Sequence, residues 1–241
     1  MNNLFRIIII LLISVIFMII PNIFKNNYEL FISDDLDNNK YYDENDNLIN
    51  HKTNEREEQE QAFKYIEPND IVLELGGRYG TVSSVINYKL KDKTNHVVVE
   101  PDEKIIPALT KNKELNESKY HILPKIVSNN NKKKIDNGYG THYIDNNSIE
   151  NNANNIISYS EFKKLYPLNF NVIVADCEGC LCEFIKNMGD DFNKINKVIF
   201  EADFPELCNY NEIIENLKNN GFTMVENKDN FRYVFIKYSK S

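Results

Sequence analysis

The chain has 241 residues, 28 Lys and Arg against 36 Asp and Glu, a net charge of −8, 42% hydrophobic residues, eight Gly, four Cys and no Trp. That length admits one ordinary domain with additions, and the apolar content excludes a wholly disordered chain. Four Cys are too few for a disulfide-built scaffold. Asn and Lys number 38 and 24 while Arg numbers four, a chain-wide bias that deprives any one Asn-rich stretch of individual meaning.

At the start, Ile7 to Ile20 is apolar but for Ser14, and Leu4, Phe5, Ile23 and Phe24 extend the run. A bilayer core of roughly 30 Å needs about 20 helical residues, which Leu4 to Phe24 supplies. Arg6 lies near the edge, where its stem can snorkel. Residues 1–25 are therefore predicted to be an uncleaved transmembrane anchor, with membrane contact through residues 4–24. The alternative is a cleaved signal peptide, which the bulky Pro21-Asn22-Ile23-Phe24-Lys25 disfavours because small residues are expected at a cleavage site. Arg6 and the α-amino group before the run, against Lys25 after it, slightly favour a single-pass protein with a cytoplasmic N-terminus.

Residues 26–53 are rich in Asp, Asn, Tyr and Glu without apolar periodicity and read as a polar stalk, leaving residues 54–241 as the globular domain. Residues 26–241 carry 26 basic against 36 acidic groups, a net charge of −10. That balance predicts no nucleic acid among the partners. Lys132-Lys133-Lys134, set among Asn129, Asn130, Asn131 and Asn137, reads as a solvated loop.

Within the domain, helix and strand signals alternate. Asn54 to Tyr65 is helical, Pro68-Asn69-Asp70 turns, and Ile71 to Leu75 is a strand followed by Gly76-Gly77-Arg78-Tyr79-Gly80. Thr81 to Leu90 is a helix, His96 to Glu100 a strand, Glu103 to Lys113 a helix and Tyr120 to Leu123 a strand. After an Asn-rich insert at 129–155 come a helix (Tyr159 to Tyr166), a strand (Asn171 to Ala175), a helix (Cys182 to Met188), a strand (Lys197 to Phe200) and a helix (Asn209 to Asn220). Phe222 to Val225 and Tyr233 to Lys237 close the chain as a hairpin. Repeated βα units with continuous apolar strands predict an α/β fold with a doubly wound, mostly parallel sheet. Ligands of such sheets lie at the carboxyl ends of the strands.

Three of the eight Gly fall at positions 76, 77 and 80, directly after the first strand, where a backbone without Cβ can turn tightly and approach a ligand. Arg78 breaks a G-x-G-x-x-G dinucleotide fingerprint, which disfavours a nicotinamide oxidoreductase, and no Gly-Lys-Ser/Thr follows to make a P-loop. Glu74, ahead of the first Gly, suits a ligand with a cationic end. Glu100, at the end of the second strand, is placed to accept hydrogen bonds from two ribose hydroxyls. A nucleoside carrying an amino acid satisfies both carboxylates, which points to S-adenosyl-L-methionine.

Three stretches resemble the FkbM-type S-adenosylmethionine-dependent methyltransferases: Val72-Leu73-Glu74-Leu75-Gly76-Gly77-Arg78-Tyr79-Gly80, Val97-Val98-Val99-Glu100-Pro101, and Val174-Ala175-Asp176-Cys177-Glu178-Gly179. The last is similar to the family's D-x-E-G signature, and Val198-Ile199-Phe200-Glu201 is similar to its closing pattern. The resemblance implies a seven-stranded class I methyltransferase fold and, usually, O-methylation of a sugar or polyketide-type hydroxyl; family analogy together with the anchor points to a sugar or glycan acceptor. It implies that Glu74, Gly76, Gly77 and Gly80 hold the methionine end of the cofactor, that Glu100 holds the ribose, and that Ile126 to Ser128 lie near the adenine. Asp176 and Glu178 would face the methyl-transfer site. Displacement at a sulfonium needs positioning and, for a hydroxyl acceptor, a base; Asp176 or Glu178 fills that role, with His121 and His142 as secondary candidates.

This chain departs from the family in having Glu74 where Asp is common, Arg78-Tyr79 where small residues are usual, and Cys180-Leu181-Cys182 after the signature. Cys177, Cys180, Cys182 and Cys208 lack the paired spacing of a structural zinc site, so no metal is expected. Free or buried thiols and, in a lumenal domain, a disulfide both remain open. The alternative to an active enzyme is a degenerate methyltransferase-fold protein acting as a membrane-tethered binding module.

Overall fold

The computed structural model describes residues 38–136, 141–145, 153 and 155–238. The expected membrane anchor, the signal-peptide alternative and the cytoplasmic N-terminus all fall outside these residues. Among the described residues, no helix is long and apolar enough to cross a membrane.

The compact unit that carries the site begins at Lys40. In chain order its elements are β1 (Tyr41–Tyr42), β2 (Leu48–Ile49), α1 (Arg56–Tyr65), β3 (Val72–Leu75), α2 (Thr81–Lys89), β4 (His96–Val99), α3 (Ile106–Leu115) and β5 (His121–Leu123). They continue with β6 (Ile126–Val127), β7 (Lys132–Asp136), β8 (Thr141–Asp145), β9 (Ile156–Ile157), α4 (Tyr159–Leu165), β10 (Val172–Ala175) and α5 (Leu181–Met188). A 3₁₀ turn (Gly189–Lys194), β11 (Lys197–Glu201), α6 (Tyr210–Asn219), β12 (Thr223–Lys228) and β13 (Arg232–Ile236) complete the order.

The main sheet has seven strands in the order β12-β13-β11-β10-β3-β4-β5, and β13 alone runs antiparallel to its neighbours. β3, β4 and β10 are buried along their whole length, as parallel strands with helices on both faces must be. The aromatic core gathers around Phe200, which stacks on Tyr210, Tyr233 and Phe235. The chain winds outward through β3, β4 and β5, then returns to lay β10 beside β3, pairing Leu75 with Ala175 at their carboxyl ends. That reversal is the topological switch point, where a doubly wound sheet opens a crevice.

Beneath the crevice, at the strands' starting ends, a buried ion pair ties β11 to the turn before β3. Lys197 Nζ lies 2.7 Å from Asp70 Oδ2, and Asn171 Nδ2 donates to Asp70 Oδ1 at 3.1 Å.

Two expectations change. Residues 40–52 are not a solvated stalk: β1 and β2 pair antiparallel, Tyr41 is fully buried and His51 is 5% exposed. The side chain of Asn112 on α3 holds the hairpin, accepting from Tyr42 N at 2.9 Å and donating to Tyr42 O and Tyr79 O. Lys132-Lys133-Lys134 is not a loop either, since β7 pairs with β8 along its length. The Lys132 ammonium is buried because two carboxylates, Asp145 at 2.6 Å and Glu183, offset its desolvation.

Candidate active site

At the switch point lies a cavity of about 640 Å³, within the ~300–1,000 Å³ typical of cofactor and substrate sites. Its lining joins the glycine loop after β3, Glu100 after β4, Ile126 to Ser128, the acid loop Asp176 to Cys180 after β10, Glu201 at the end of β11, and Arg232 on β13. Glu55 and Glu58, at the start of α1, also face it.

Gly76 is required by the approach of two loops. Its φ is +90°, and a Cβ there would lie 1.7 Å from the carbonyl oxygen of Asp176. Glu74 borders the cavity, and its carboxylate also ties neighbouring elements together: Oε1 accepts from Ser83 Oγ at 2.9 Å and Oε2 lies 2.8 Å from His96 Nε2. It braces β3, β4 and α2 under the loop.

Glu100 is 7% exposed. Its Oε2 accepts the Arg78 amide and its Oε1 the Asp102 amide, both at 2.8 Å, which leaves each oxygen one lone pair for a ligand. Burial pushes its pKa up against these two amides. Ser128 is buried and hydrogen-bonds the Glu183 carboxylate and Asn130 O, so its hydroxyl belongs to the Lys132–Glu183–Asp145 cluster at one margin of the cavity.

The other margin is acidic. Burial, with Glu201, Glu55 and Asp203 close by, holds the Asp176 carboxyl well above its ordinary value. Glu178 is raised by burial and by Asp203, against the pull of Arg78. Burial and the neighbouring Glu58 push Glu201 up to about 8. Glu55 is raised by burial although Thr81 Oγ1 donates to it. Arg232 is the counter-charge, reaching Glu57 at 2.6 Å, Glu58, and Glu201 at 3.4 Å. The carboxyls raise one another's proton affinity, so the margin titrates as a coupled group and not as separate acids.

Of the residues singled out from sequence, Glu74, Gly76, Gly77, Glu100, Ser128, Asp176 and Glu178 border this one cavity, while Gly80 caps α2 behind it. His121 does not join them. It starts β5, at the opposite end of the strands, with its ring tilted against Tyr166 at 5.6 Å between centroids. The side chain of His142 lies outside the described residues. Sequence reasoning missed Glu55, Glu58 and Arg232 as cavity groups. Acids in a helix's first turn are what the helix dipole favours anyway, so their sequence signal is indistinguishable from a solvated face.

Cys177 bonds Cys180, and Cys182 bonds Cys208, with Cα separations of 5.4 and 5.3 Å. This answers the question left open by the sequence between thiols and disulfides. No group of three or more His, Cys, Asp or Glu among the described residues is arranged to hold a metal ion.

Numbered within the main sheet alone, the strand order reads 3-2-1-4-5-7-6 with the seventh reversed, the Rossmann-like fold of the class I methyltransferases. No protein family profile matches the chain, and no curated protein matches it. Solved structures do. An rRNA methylase from Streptococcus thermophilus aligns over 75% of this chain and 94% of its own at 8% identity and a TM-score of 0.46. A precorrin-6y C5,15-methyltransferase from Geobacter metallireducens aligns over 75% and 87% at 10% identity and a TM-score of 0.45. A Streptococcus pneumoniae protein described as a candidate tRNA (m1A22) methyltransferase, in complex with S-adenosyl-L-methionine, aligns over 77% and 75% at 13% identity and a TM-score of 0.44. At these identities the likeness is one of fold. It nevertheless overturns one expectation: with methylases named for rRNA and tRNA among the structures alike in fold, the exclusion of nucleic acid from the partners, which rested on net charge alone, is withdrawn.

Proposed function

We propose that this chain is an S-adenosylmethionine-dependent methyltransferase of the FkbM type that methylates a hydroxyl of a sugar or glycan, tethered to a membrane through residues 4–24. The observation that carries the reading is one cavity bounded by Glu100 after β4 and Asp176 after β10, with the glycine loop of β3 between them.

The cofactor is S-adenosyl-L-methionine; bound, it supplies a methyl group on a positively charged sulfur. Glu100 would hold the ribose hydroxyls with its spare lone pairs, and Ile126 and Val127 would offer the base an apolar surface. The acidic margin favours a cationic donor over its neutral demethylated product, which aids release. Asp176 and Glu178 accept the proton of the attacking hydroxyl. Burial raises both carboxyls, which makes either a stronger base once ionised. Glu74 acts from beneath, holding the glycine loop through Ser83 and His96.

Calorimetric titration of S-adenosylmethionine and S-adenosylhomocysteine into the full chain in mild detergent tests the cofactor. Transfer of a labelled methyl group to a panel of glycans, compared with the Asp176→Asn variant, tests the acceptor. Micromolar binding with transfer lost in the variant is the expected outcome. A folded protein that binds neither compound would refute the enzyme reading and leave a binding module on a methyltransferase fold.

A further inference from the structure

The two disulfides differ in what they do. Cys182–Cys208 joins α5 to the loop before α6, 26 residues away, and Cys208 is 1% exposed. It is a buried cross-link of the kind that restricts an unfolded chain. Cys177–Cys180 spans three residues, a ring too short to remove much unfolded-chain entropy. Cys180 is exposed, and both of its residues border the cavity.

Inside that short ring sit Glu178 and Gly179. Glu178 has φ +55° and Gly179 φ +85°, two consecutive residues in the left-handed region. Gly179 fits there without cost, whereas a residue with a Cβ does not adopt that backbone unaided. A Cβ on Gly179 would also meet Leu207 Cβ at 2.8 Å. The loop is pinned further by two hydrogen bonds, Gly179 N to Asp203 Oδ1 at 3.1 Å and Cys180 N to Cys177 O at 3.2 Å. The bridge thus closes a strained turn around the acid that the proposed chemistry uses.

We infer that Cys177–Cys180 is a thiol–disulfide exchange site whose reduction by a dithiol releases Glu178 from the cavity, so that the acceptor side responds to redox poise while the cofactor side does not. This rests on the reading of the cavity as a methyl-transfer site. The exchange balances as follows. One thiolate of the dithiol attacks Cys180 Sγ, the S–S bond breaks, and Cys177 leaves and takes up a proton. The second sulfur of the dithiol then displaces Cys180, which is protonated in turn, and the dithiol ends as its own disulfide. Two electrons and two protons pass to the protein. Cys182–Cys208, with Cys208 buried, stays oxidised.

The test is graded dithiothreitol treatment of the full chain, read by alkylation of each cysteine and by amide hydrogen exchange. Alkylation is expected at Cys177 and Cys180 well before Cys182 and Cys208. Exchange of amides 178–180 should rise about tenfold as the left-handed turn relaxes, while amides 72–76 stay unchanged. The Cys177→Ser/Cys180→Ser double variant should show the same exchange without reductant. S-adenosylmethionine affinity should be the same in oxidised and reduced protein. Simultaneous reduction of both bridges, an unchanged loop after selective reduction, or a cofactor affinity that falls with the loop would each overturn the inference. Failure of the oxidised protein to bind S-adenosylmethionine would instead refute the methyltransferase reading, since alkylation and exchange do not depend on it.

Discussion

Replacing Glu100 tests the cofactor site at the residue with the least ambiguous geometry. Each carboxylate oxygen accepts one backbone amide at 2.8 Å and keeps one lone pair for a ribose hydroxyl. Hydrogen bonds to a charged group are worth ~1.5–3 kcal/mol each, so losing both ribose contacts in Glu100→Ala removes at least about 3 kcal/mol. That corresponds to roughly a hundredfold weaker S-adenosylmethionine binding. Glu100→Gln keeps one acceptor oxygen but turns an amide N–H₂ toward either the Arg78 or the Asp102 amide, and should weaken binding about tenfold. In the Ala variant the Arg78 and Asp102 amides lose their acceptor, so a fall in melting temperature should accompany the loss of affinity. The assay is calorimetric titration of both cofactor forms, with circular-dichroism melting to establish that the variants fold. A folded Glu100→Ala protein that binds within about threefold of the parent would refute the assignment, because it removes both hydrogen bonds on which the ~3 kcal/mol rests.

Gly76→Ala would drive a Cβ into the Asp176 carbonyl, forcing the β3 and β10 loops apart. Cofactor affinity should drop more than about tenfold, with ~1–3 kcal/mol of stability lost to overpacking; unchanged titration heats would contradict the loop geometry. Lys197→Met leaves Asp70 buried without its cation, which costs ~3–5 kcal/mol. At ~2–4 °C per kcal/mol the melting point should fall by about 6–20 °C with cofactor affinity intact, and the Lys197→Met/Asp70→Leu double variant should recover much of it. Glu201 has its folded pKa raised from 4.5 to about 8, so its contribution to stability is full below 4.5 and is lost as pH rises through about 8. Melting temperature should therefore decline from pH 5 to 9, and more shallowly in Glu201→Gln; equal slopes would show that the pair with Glu58 does not carry the effect.

The βα alternation was legible because each buried parallel strand is an apolar run that needs no partner to be seen, as in Val172-Ile173-Val174-Ala175. The glycine loop, Glu100 and the acid loop were legible because each follows such a strand directly. What was hidden depends on partners far along the chain. Lys132 looks like a solvated cation until Glu183, 51 residues on, is placed beside it. Tyr41 and Tyr42 look like stalk residues until Asn112, 70 residues from Tyr42, offers its amide. The bonds of Glu74 to Ser83 and His96 were hidden in the same way, since only the packing of α2 and β4 reveals them. The pairing of Cys182 with Cys208 likewise depends on the loop after β11 folding back over α5.

The clasp of Arg232 on α1 has a consequence for the time course of biosynthesis. Arg232 meets Glu57 and Glu58 across 175 and 174 residues of chain, and Gln61, Lys64 and Tyr65 of the same helix all bond Glu226. A ribosome adding ~5–20 residues per second would release α1 long before its partners exist, so the helix must wait roughly ten to thirty seconds for the strand that holds it. Until then Glu55 and Glu58 have no wall to stand on, and the acidic margin cannot close. The cavity therefore closes only after β12 and β13 have been made, however early its glycine loop and Glu100 leave the ribosome.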